Sequence, residues 1–248
     1  MIGSLEIHKT THELIRAVAE RIERHLIEAI AGRGVASIAL SGGLTPKRVY
    51  ELLASDEFRS RIDWGRVHLF WGDERCVPHF MRESNFRMVH EALLERIAIP
   101  ERNIHRVATD LHPTEAARAY EAEITEFFGL KNGQLPEFDV LLLGLGEDGH
   151  IASLFPGTTV LNERSRLVAE VYVEKLTAHR ITLTLPVINN AANVMFIISG
   201  KGKATILQNV LEQESLHYPA QMVNPIFGRL YWLVDSDAAS LLQRVNRL

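Results

Sequence analysis

The chain has 248 residues, of which 46% are hydrophobic and 23% charged, with a formal net charge of -4 and a pI near 6.3. This length and apolar fraction suffice for a globular protein with a large core. The lack of a basic excess argues against nucleic acid as a partner. No apolar run approaches the roughly 20 residues of a membrane span, and the N-terminal segment lacks a signal-peptide layout, so no membrane partner is expected. The single cysteine, Cys76, cannot form an internal disulfide, which favours a cytoplasmic protein, and no obligate protein partner is evident.

The first elements are a long helix, a strand and a second helix. Thr10 and Glu13 have the spacing of a capping box, and apolar residues then recur at helical intervals before Gly32 and Gly34. Residues 35–40 read as a buried strand, and a helix is predicted from about residue 47 to residue 54, with Thr45 as its N-cap.

The loop between that strand and helix, Ser41-Gly42-Gly43-Leu44-Thr45-Pro46, is the best candidate for a phosphate site. Its glycines allow close approach, the helix start favours an anion, and the two hydroxyl groups add donors. The alternative is an ordinary strand–helix connection in which the serine and threonine only cap the helix.

A second buried strand over residues 67–71 leads into Gly72-Asp73-Glu74-Arg75. Because ligands of parallel sheets collect beyond the carboxyl ends of strands, Asp73 and Arg75 are candidate site residues. The alternative is a local surface ion pair of little energetic value. Glu74 is expected to be structural, and Cys76, without a clear histidine partner, is interpreted as a bystander.

The most informative stretch is FDVLLLGLGEDGHIASLFPGT, residues 138–158. A strand-like apolar run ends in Gly144, Gly146 and Gly149, which form a turn presenting Asp148 and His150. One interpretation is the dinucleotide-binding pattern GxGxxG after a strand. The other takes His150 as a general base or acid, with Asp148 orienting its ring.

The elements between and after these motifs alternate in the same way. Helices are predicted after Ser84 or Asn85 and over residues 113–128. Residues 167–173 and 181–185 read as strands of a small sheet or hairpin. A strand over residues 193–198 leads through Lys203 into a helix, and a last strand over residues 230–234 precedes a helix that Ser236 caps and that bears Leu241, Leu242 and Val245. The whole chain, residues 1–248, is expected to form one α/β domain with a mainly parallel sheet covered by helices on both faces.

The motifs resemble the 6-phosphogluconolactonases, which open 6-phosphoglucono-1,5-lactone in the pentose phosphate pathway. The resemblance covers nearly the whole chain through the segments ALSGGLTP, FWGDERCVP, ESNF, LGLGEDGHIASLFPGT, HRITLTLPVINNA and ISGKGKA. The related glucosamine-6-phosphate deaminases share the Gly–Asp–Gly–His turn. They carry glutamate where this chain has Phe155 and typically a DEY triplet where it has DER, which favours the lactonase.

The resemblance implies a Rossmann-like fold shared with glucosamine-6-phosphate deaminase and ribose-5-phosphate isomerase. It also implies hydrolysis of the lactone with His150 as the base for water, without cofactor or metal. Asp148 or Asp73 would orient His150, and Arg75 or backbone N–H groups of the glycine turn would stabilise the oxyanion. Arg75 could instead bind the phosphate. The 6-phosphate would be held by Ser41, Gly42, Gly43, Thr45, Arg180 and Lys203, and Gly146 and Gly149 are further candidates for substrate binding. Taken alone, Arg180 and Lys203 read as solvated surface charges.

Three alternatives remain at this point. A deaminase–isomerase would use the same pocket but needs another acid/base group at position 155. An NAD-dependent dehydrogenase would bind its nucleotide at residues 144–149. A non-catalytic sugar-phosphate sensor would bind without turnover, although the chain has no spare segment for an output module.

Overall fold

The computed structural model describes residues 3–213 and 218–243. Within them, the strands are β1 (Ser4–His8), β2 (Ala36–Leu40), β3 (Val67–Trp71), β4 (Asp73–Arg75), β5 (Ile104–His105), β6 (Val140–Leu143), β7 (Val168–Val173), β8 (Ala178–Leu183), β9 (Asn193–Ile198) and β10 (Arg229–Asp235). The helices are α1 (Thr11–Arg33), α2 (Leu44–Leu53), α3 (Asn85–Ala92), α4 (Pro113–Phe128), α5 (Leu185–Asn190) and α6 (Ala204–Glu212), joined in places by short 3₁₀ turns.

Seven strands form a parallel sheet in the order β1-β10-β9-β6-β2-β3-β5. The predicted mainly parallel α/β architecture is therefore confirmed. Helices cover both faces, and the central strand β6 shows why its sequence is apolar throughout. Leu141 and Leu143 pack into the cluster that includes α4, whereas Val140 and Leu142 pack into the cluster that includes α1. A strand buried on both faces needs apolar residues at successive positions.

A small antiparallel sheet, in the order β4-β8-β7, lies beside the parallel one. The predicted hairpin of β7 and β8 is confirmed, and it gains β4 as a third strand. In this sheet Arg75 of β4 is paired directly with Arg180 of β8. The small sheet therefore brings together two predicted site residues that are far apart in sequence.

Local signals correctly predicted several helix ends. The Thr10 hydroxyl accepts from the backbone N–H of Glu13 at the start of α1, and Ser84 caps α3 in the same way through Arg87. Gly34 and Gly129 end α1 and α4 in the left-handed conformation, as glycine permits without steric cost.

Several elements differ from the predictions. The strand predicted over residues 181–185 is β8, which ends at Leu183, and Leu185 begins α5, a helix that was not predicted. α2 begins at Leu44 with Gly43 as its N-cap, so Thr45 lies inside the helix and does not cap it. β1 was not predicted, because a five-residue edge strand with one weak alternation carries little signal. Residues 236–241 form turns where a terminal helix is predicted, and the part of that helix with Val245 lies outside the described residues. Among the described residues, no helix is both long and apolar enough to cross a membrane.

Candidate active site

The carboxyl ends of four neighbouring strands meet at one edge of the parallel sheet. β6 lies between β9 and β2, and β3 flanks β2 on the other side. The loops that leave these strands enclose a cavity of about 530 Å³. β2 and β6 are neighbours, but the chain leaves them toward opposite edges of the parallel sheet. After β2 it forms β3 on one side, and the next strand of this sheet after β6 is β9, on the other side. Open α/β sheets bind ligands at such a switch point.

Most of the predicted site residues line this cavity. They come from the loop after β2, from β4, from the turn after β6, from β8 and from the start of α6: Ser41, Gly42, Gly43, Thr45, Asp73, Arg75, Gly146, His150, Arg180 and Lys203. Asp148 is outside this lining but contacts His150. Gly149 is also outside it and packs against Tyr218, whose ring an added Cβ would approach to 2.5 Å. With a φ of +75°, Gly149 has a conformational role, and the structure does not bring it to the cavity.

The loop after β2 places a helix start at the cavity. Gly43 has a φ of +107° and no side chain caps α2, so the first N–H groups of the helix have no side-chain acceptor. Gly42 has no room for a side chain, because a Cβ there would lie 2.1 Å from the Asn85 amide oxygen. The Thr45 hydroxyl lies 2.7 Å from that of Ser199 and ties this loop to the one after β9. The arrangement suits an anion.

His150 and Asp148 form a hydrogen-bonded pair at the turn after β6. Nδ1 of His150 lies 2.5 Å from Oδ1 of Asp148, and Nζ of Lys175 bonds to the other carboxylate oxygen. The ring of Phe155 stacks on the imidazole with a centroid distance of 4.0 Å. Of the two candidates for orienting His150, Asp148 is therefore the one that contacts it.

The surroundings of this pair favour a neutral imidazole beside an ionised carboxylate. Burial lowers the pKa of His150, and the hydrogen bond that the ring donates to Asp148 opposes this without reversing it. Burial would raise the pKa of Asp148, but the bonds from Lys175 and His150 together lower it to about 2. A neutral ring that donates Nδ1–H to the carboxylate keeps a lone pair on Nε2. Such a ring can accept a proton from water.

The glycine turn holds the imidazole and does not continue into a helix. A Cβ on Gly146 would lie 1.9 Å from Nδ1 of His150, so the ring occupies the space that a side chain would need. After Gly149 the chain forms a small bridge between Ile151 and Leu154. The dinucleotide pattern requires its glycines to open a helix, and this turn lacks that context. The N–H of Gly146 donates to the carbonyl of His150 and that of Gly149 to the carbonyl of Gly146, so neither is available to an oxyanion.

Asp73 and Glu74 are buried, and they brace the loops around the cavity. Asp73 accepts a 2.7 Å bond from the hydroxyl of Ser153, and its Oδ2 lies 3.9 Å from Nη1 of Arg180. Glu74 accepts bonds from the backbone N–H groups of Asn85 and Phe86 at the start of α3. Glu74 therefore has the structural role predicted for it, and Asp73 supports Arg180 without contacting His150.

The cavity carries an excess of positive charge. Arg75 and Arg180 are cross-strand neighbours, and the buried Nε of each has no hydrogen-bond partner among the described residues. Burial, and then the charge of Arg75, lower the pKa of Arg180. Arg48 and Lys203 also line the cavity. Like charges directly opposite on two strands destabilise a sheet unless an anion lies between them. The cavity therefore suits an anionic ligand.

Sequence reasoning missed several contributors to this site. Arg48 and Lys175 belong to none of the motifs above, and Ser199 lies in the ISGKGKA segment but was not named as a site residue. Cys76 does not have the properties of a nucleophile, since burial raises its pKa to about 11. In residues 3–213 and 218–243, no group of three or more His, Cys, Asp or Glu side chains is arranged to hold a metal ion.

Comparisons with known proteins agree on the kind of protein this is. The family model described as glucosamine-6-phosphate isomerases/6-phosphogluconolactonase matches residues 9–232. A 6-phosphogluconolactonase of Synechocystis sp. is 41% identical over 233 residues, which cover 93% of this chain and 94% of the relative. The human 6-phosphogluconolactonase is 36% identical over 244 residues, covering 97% and 94%. The structure of 6-phosphogluconolactonase from Trypanosoma cruzi superposes with a TM-score of 0.86 at 28% identity, covering 98% of each chain.

Proposed function

Because the chain belongs to the glucosamine-6-phosphate isomerase/6-phosphogluconolactonase family, we propose that it hydrolyses 6-phospho-D-glucono-1,5-lactone to 6-phospho-D-gluconate. The names of its relatives at this coverage support the assignment. The observation that carries it is the hydrogen bond between the His150 imidazole and the Asp148 carboxylate, beside a cavity rich in positive charge. That combination suits a substrate with a phosphate at one end and a carbonyl to be attacked by water at the other.

The phosphate would bind between the start of α2 and the basic side chains. The uncapped N–H groups after Gly43 and the hydroxyl of Thr45 offer donors from one side. Arg180 and Lys203 offer charge from the other, and an arginine fork matches two phosphate oxygens. Binding energy at this remote group would fix the lactone carbonyl against the attacking water.

The reaction would begin when water attacks C1 of the lactone. Nε2 of His150 takes one proton from the water as the new C–O bond forms, and Asp148 stabilises the resulting imidazolium. The bond between C1 and the ring oxygen then breaks, and the imidazolium returns its proton to that oxygen. The product is the open-chain acid, and the base is restored.

The negatively charged oxygen of the tetrahedral intermediate needs a hydrogen-bond donor in the cavity. Arg75 lines the cavity and has a buried Nε without a partner among the described residues, so we assign it this role in place of the glycine-turn N–H groups. No step requires a metal ion. Activity that survives dialysis against EDTA would support this, and activity restored only by added metal would contradict it.

The first experiment is hydrolysis of freshly generated lactone, followed by acid release at neutral pH. Three samples are compared: wild type, His150→Ala and a buffer blank, because the lactone also hydrolyses unaided. Wild-type rates far above the blank, with folded His150→Ala close to it, support both the reaction and the base. A wild-type rate equal to the blank contradicts the assignment.

The deaminase alternative is tested in the same series by ammonia release from glucosamine 6-phosphate. Phe155, stacked on His150, provides no acid/base group at the position where deaminases carry glutamate. We therefore expect no release of ammonia.

A further inference from the structure

Asp148 has two oxygens, and each has a different partner. Oδ1 contacts Nδ1 of His150 at 2.5 Å and also lies 3.3 Å from its backbone nitrogen. Oδ2 accepts from Nζ of Lys175, which comes from the hairpin turn between β7 and β8. A carboxylate held at both oxygens cannot rotate about its last bond without losing one partner. The contact from Lys175 therefore restricts the orientation of the oxygen that faces the imidazole.

Lys175 contacts the Phe155 ring as well as Asp148. Its Nζ lies 4.7 Å from the centroid of the Phe155 ring, a cation–π distance. Phe155 is 3% exposed and stacks on His150. The turn that carries Lys175 is closed by Thr177, whose φ of +48° is unusual for a threonine and whose N–H donates to the carbonyl of Glu174. Lys175, Asp148, Phe155 and His150 thus form one contiguous group.

The charges that face His150 come from several elements. Asp148 and Glu147 belong to the same turn, Lys175 to the β7–β8 hairpin, and Lys203 to the start of α6; all four line one opening together with His150. Asp73, on β4 of the small sheet, opposes the lowering of the His150 pKa through its negative charge. Of these groups, Asp148 bonds to the imidazole, and Lys175 bonds to Asp148.

We propose that Lys175 is a positioning residue for the lactone hydrolysis: it holds Asp148 so that the carboxylate keeps the His150 ring in one tautomer and one orientation. The inference rests on the proposed function. Lys175 is not among the residues that line the cavity with Arg75 and Arg180, and its Nζ bonds to Asp148, so the proposed action is through Asp148. Its positive charge also opposes protonation of the ring, which keeps the base available at neutral pH.

The test compares Lys175→Met and Lys175→Arg with wild type between pH 5 and 7.5. The side chain of Lys175 is 52% exposed, so the effect is that of a partly solvated ion pair. We expect Lys175→Met to lower kcat about twofold to fivefold near pH 6 with little change in KM. The acid limb of its kcat profile should move to higher pH, and Lys175→Arg should restore most of the activity. Lys131→Met, which removes an exposed lysine from the loop after α4, is the matched control and should behave as wild type.

A double-mutant cycle separates an action through Asp148 from a direct one. In an Asp148→Asn background, Lys175→Met should have no further effect on kcat. An equal loss in both backgrounds, or no loss in the single variant, overturns the proposal.

The ¹⁵N shifts of the His150 ring provide a readout that does not depend on turnover. In the wild type we expect Nδ1 to carry the proton of the neutral form, and in Lys175→Met we expect a raised pKa and mixed tautomers. Unchanged tautomer and pKa in Lys175→Met overturn the proposal. Absence of lactone hydrolysis by the wild type contradicts the proposed function, while these ring shifts still decide how Lys175 affects His150.

Discussion

The substitution Gly146→Ala tests the position of His150 with the smallest possible change. A Cβ at residue 146 would lie 1.9 Å from Nδ1 and 2.1 Å from Cε1 of the imidazole. Ordinary contact begins near 3.4 Å, so the ring must retreat by about 1.5 Å or swing out of the cavity. The side chain of His150 is 28% exposed, so the ring can be displaced toward solvent. We therefore expect the variant to fold, with a cost of about 1–3 kcal/mol in the free energy of unfolding.

The expected loss of activity follows from that displacement. A misplacement of about 1 Å costs on the order of 100-fold, and a general base contributes about 100- to 10,000-fold. Gly146→Ala should therefore lower kcat/KM for lactone hydrolysis at least about 100-fold. Gly32→Ala is the control for a glycine-to-alanine change outside the cavity lining, because Gly32 is an exposed residue of α1 and nothing lies within 4 Å of an added Cβ; it should stay within about threefold of wild type. Wild-type kcat/KM in folded Gly146→Ala would show that the base is not His150 in this position.

Three further predictions concern charge and pH. Since burial lowers the pKa of His150, the acid limb of the kcat/KM profile should have its midpoint below 6.5; a midpoint above 6.5 contradicts this. Arg180→Gln should raise KM about 10- to 100-fold with a smaller change in kcat, because a charge-assisted bond to phosphate is lost; unchanged KM argues against phosphate at Arg180. His68, whose pKa burial lowers to about 4, stays neutral in the folded protein while the unfolded chain takes up a proton below about pH 6.5. The free energy of unfolding should thus fall by about 1–2 kcal/mol between pH 7 and pH 5. Denaturant titrations should show a smaller fall for His68→Leu than for wild type, and an equal fall in both proteins would refute the low pKa of His68.

Much of the architecture could be predicted because its signals are local. The capping residues of α1 and α3 contact positions three residues away. Gly129 ends α4 through its own backbone conformation, and the apolar run of β6 requires burial on both faces wherever the strand lies. The start of α2 was misplaced because Thr45 and Pro46 form a typical helix start, whereas Gly43 provides the cap in the folded chain.

In the candidate site, too, the sequence indicated the residues of short motifs but not the contacts between distant segments. Motifs and the family resemblance indicated His150, Asp148 and the loop after β2, since these lie within short segments. They left open whether Asp148 or Asp73 contacts His150; in the structure Asp148 contacts it, and Asp73 bonds to Ser153. They also indicated Gly149 as a binding residue, but its contacts with Tyr218 depend on how the chain returns after α6.

The amino-acid sequence by itself determined the alternation of strands and helices, the glycine turn and the identity of the family. Only the tertiary structure decided that Arg75 lies opposite Arg180, and that Lys175 bonds to Asp148 from 27 residues away. The physical reason is the range of the interactions. Caps, turns and periodicity act over a few residues, whereas these contacts depend on the register of β4 and β8 and on the closure of the β7–β8 turn.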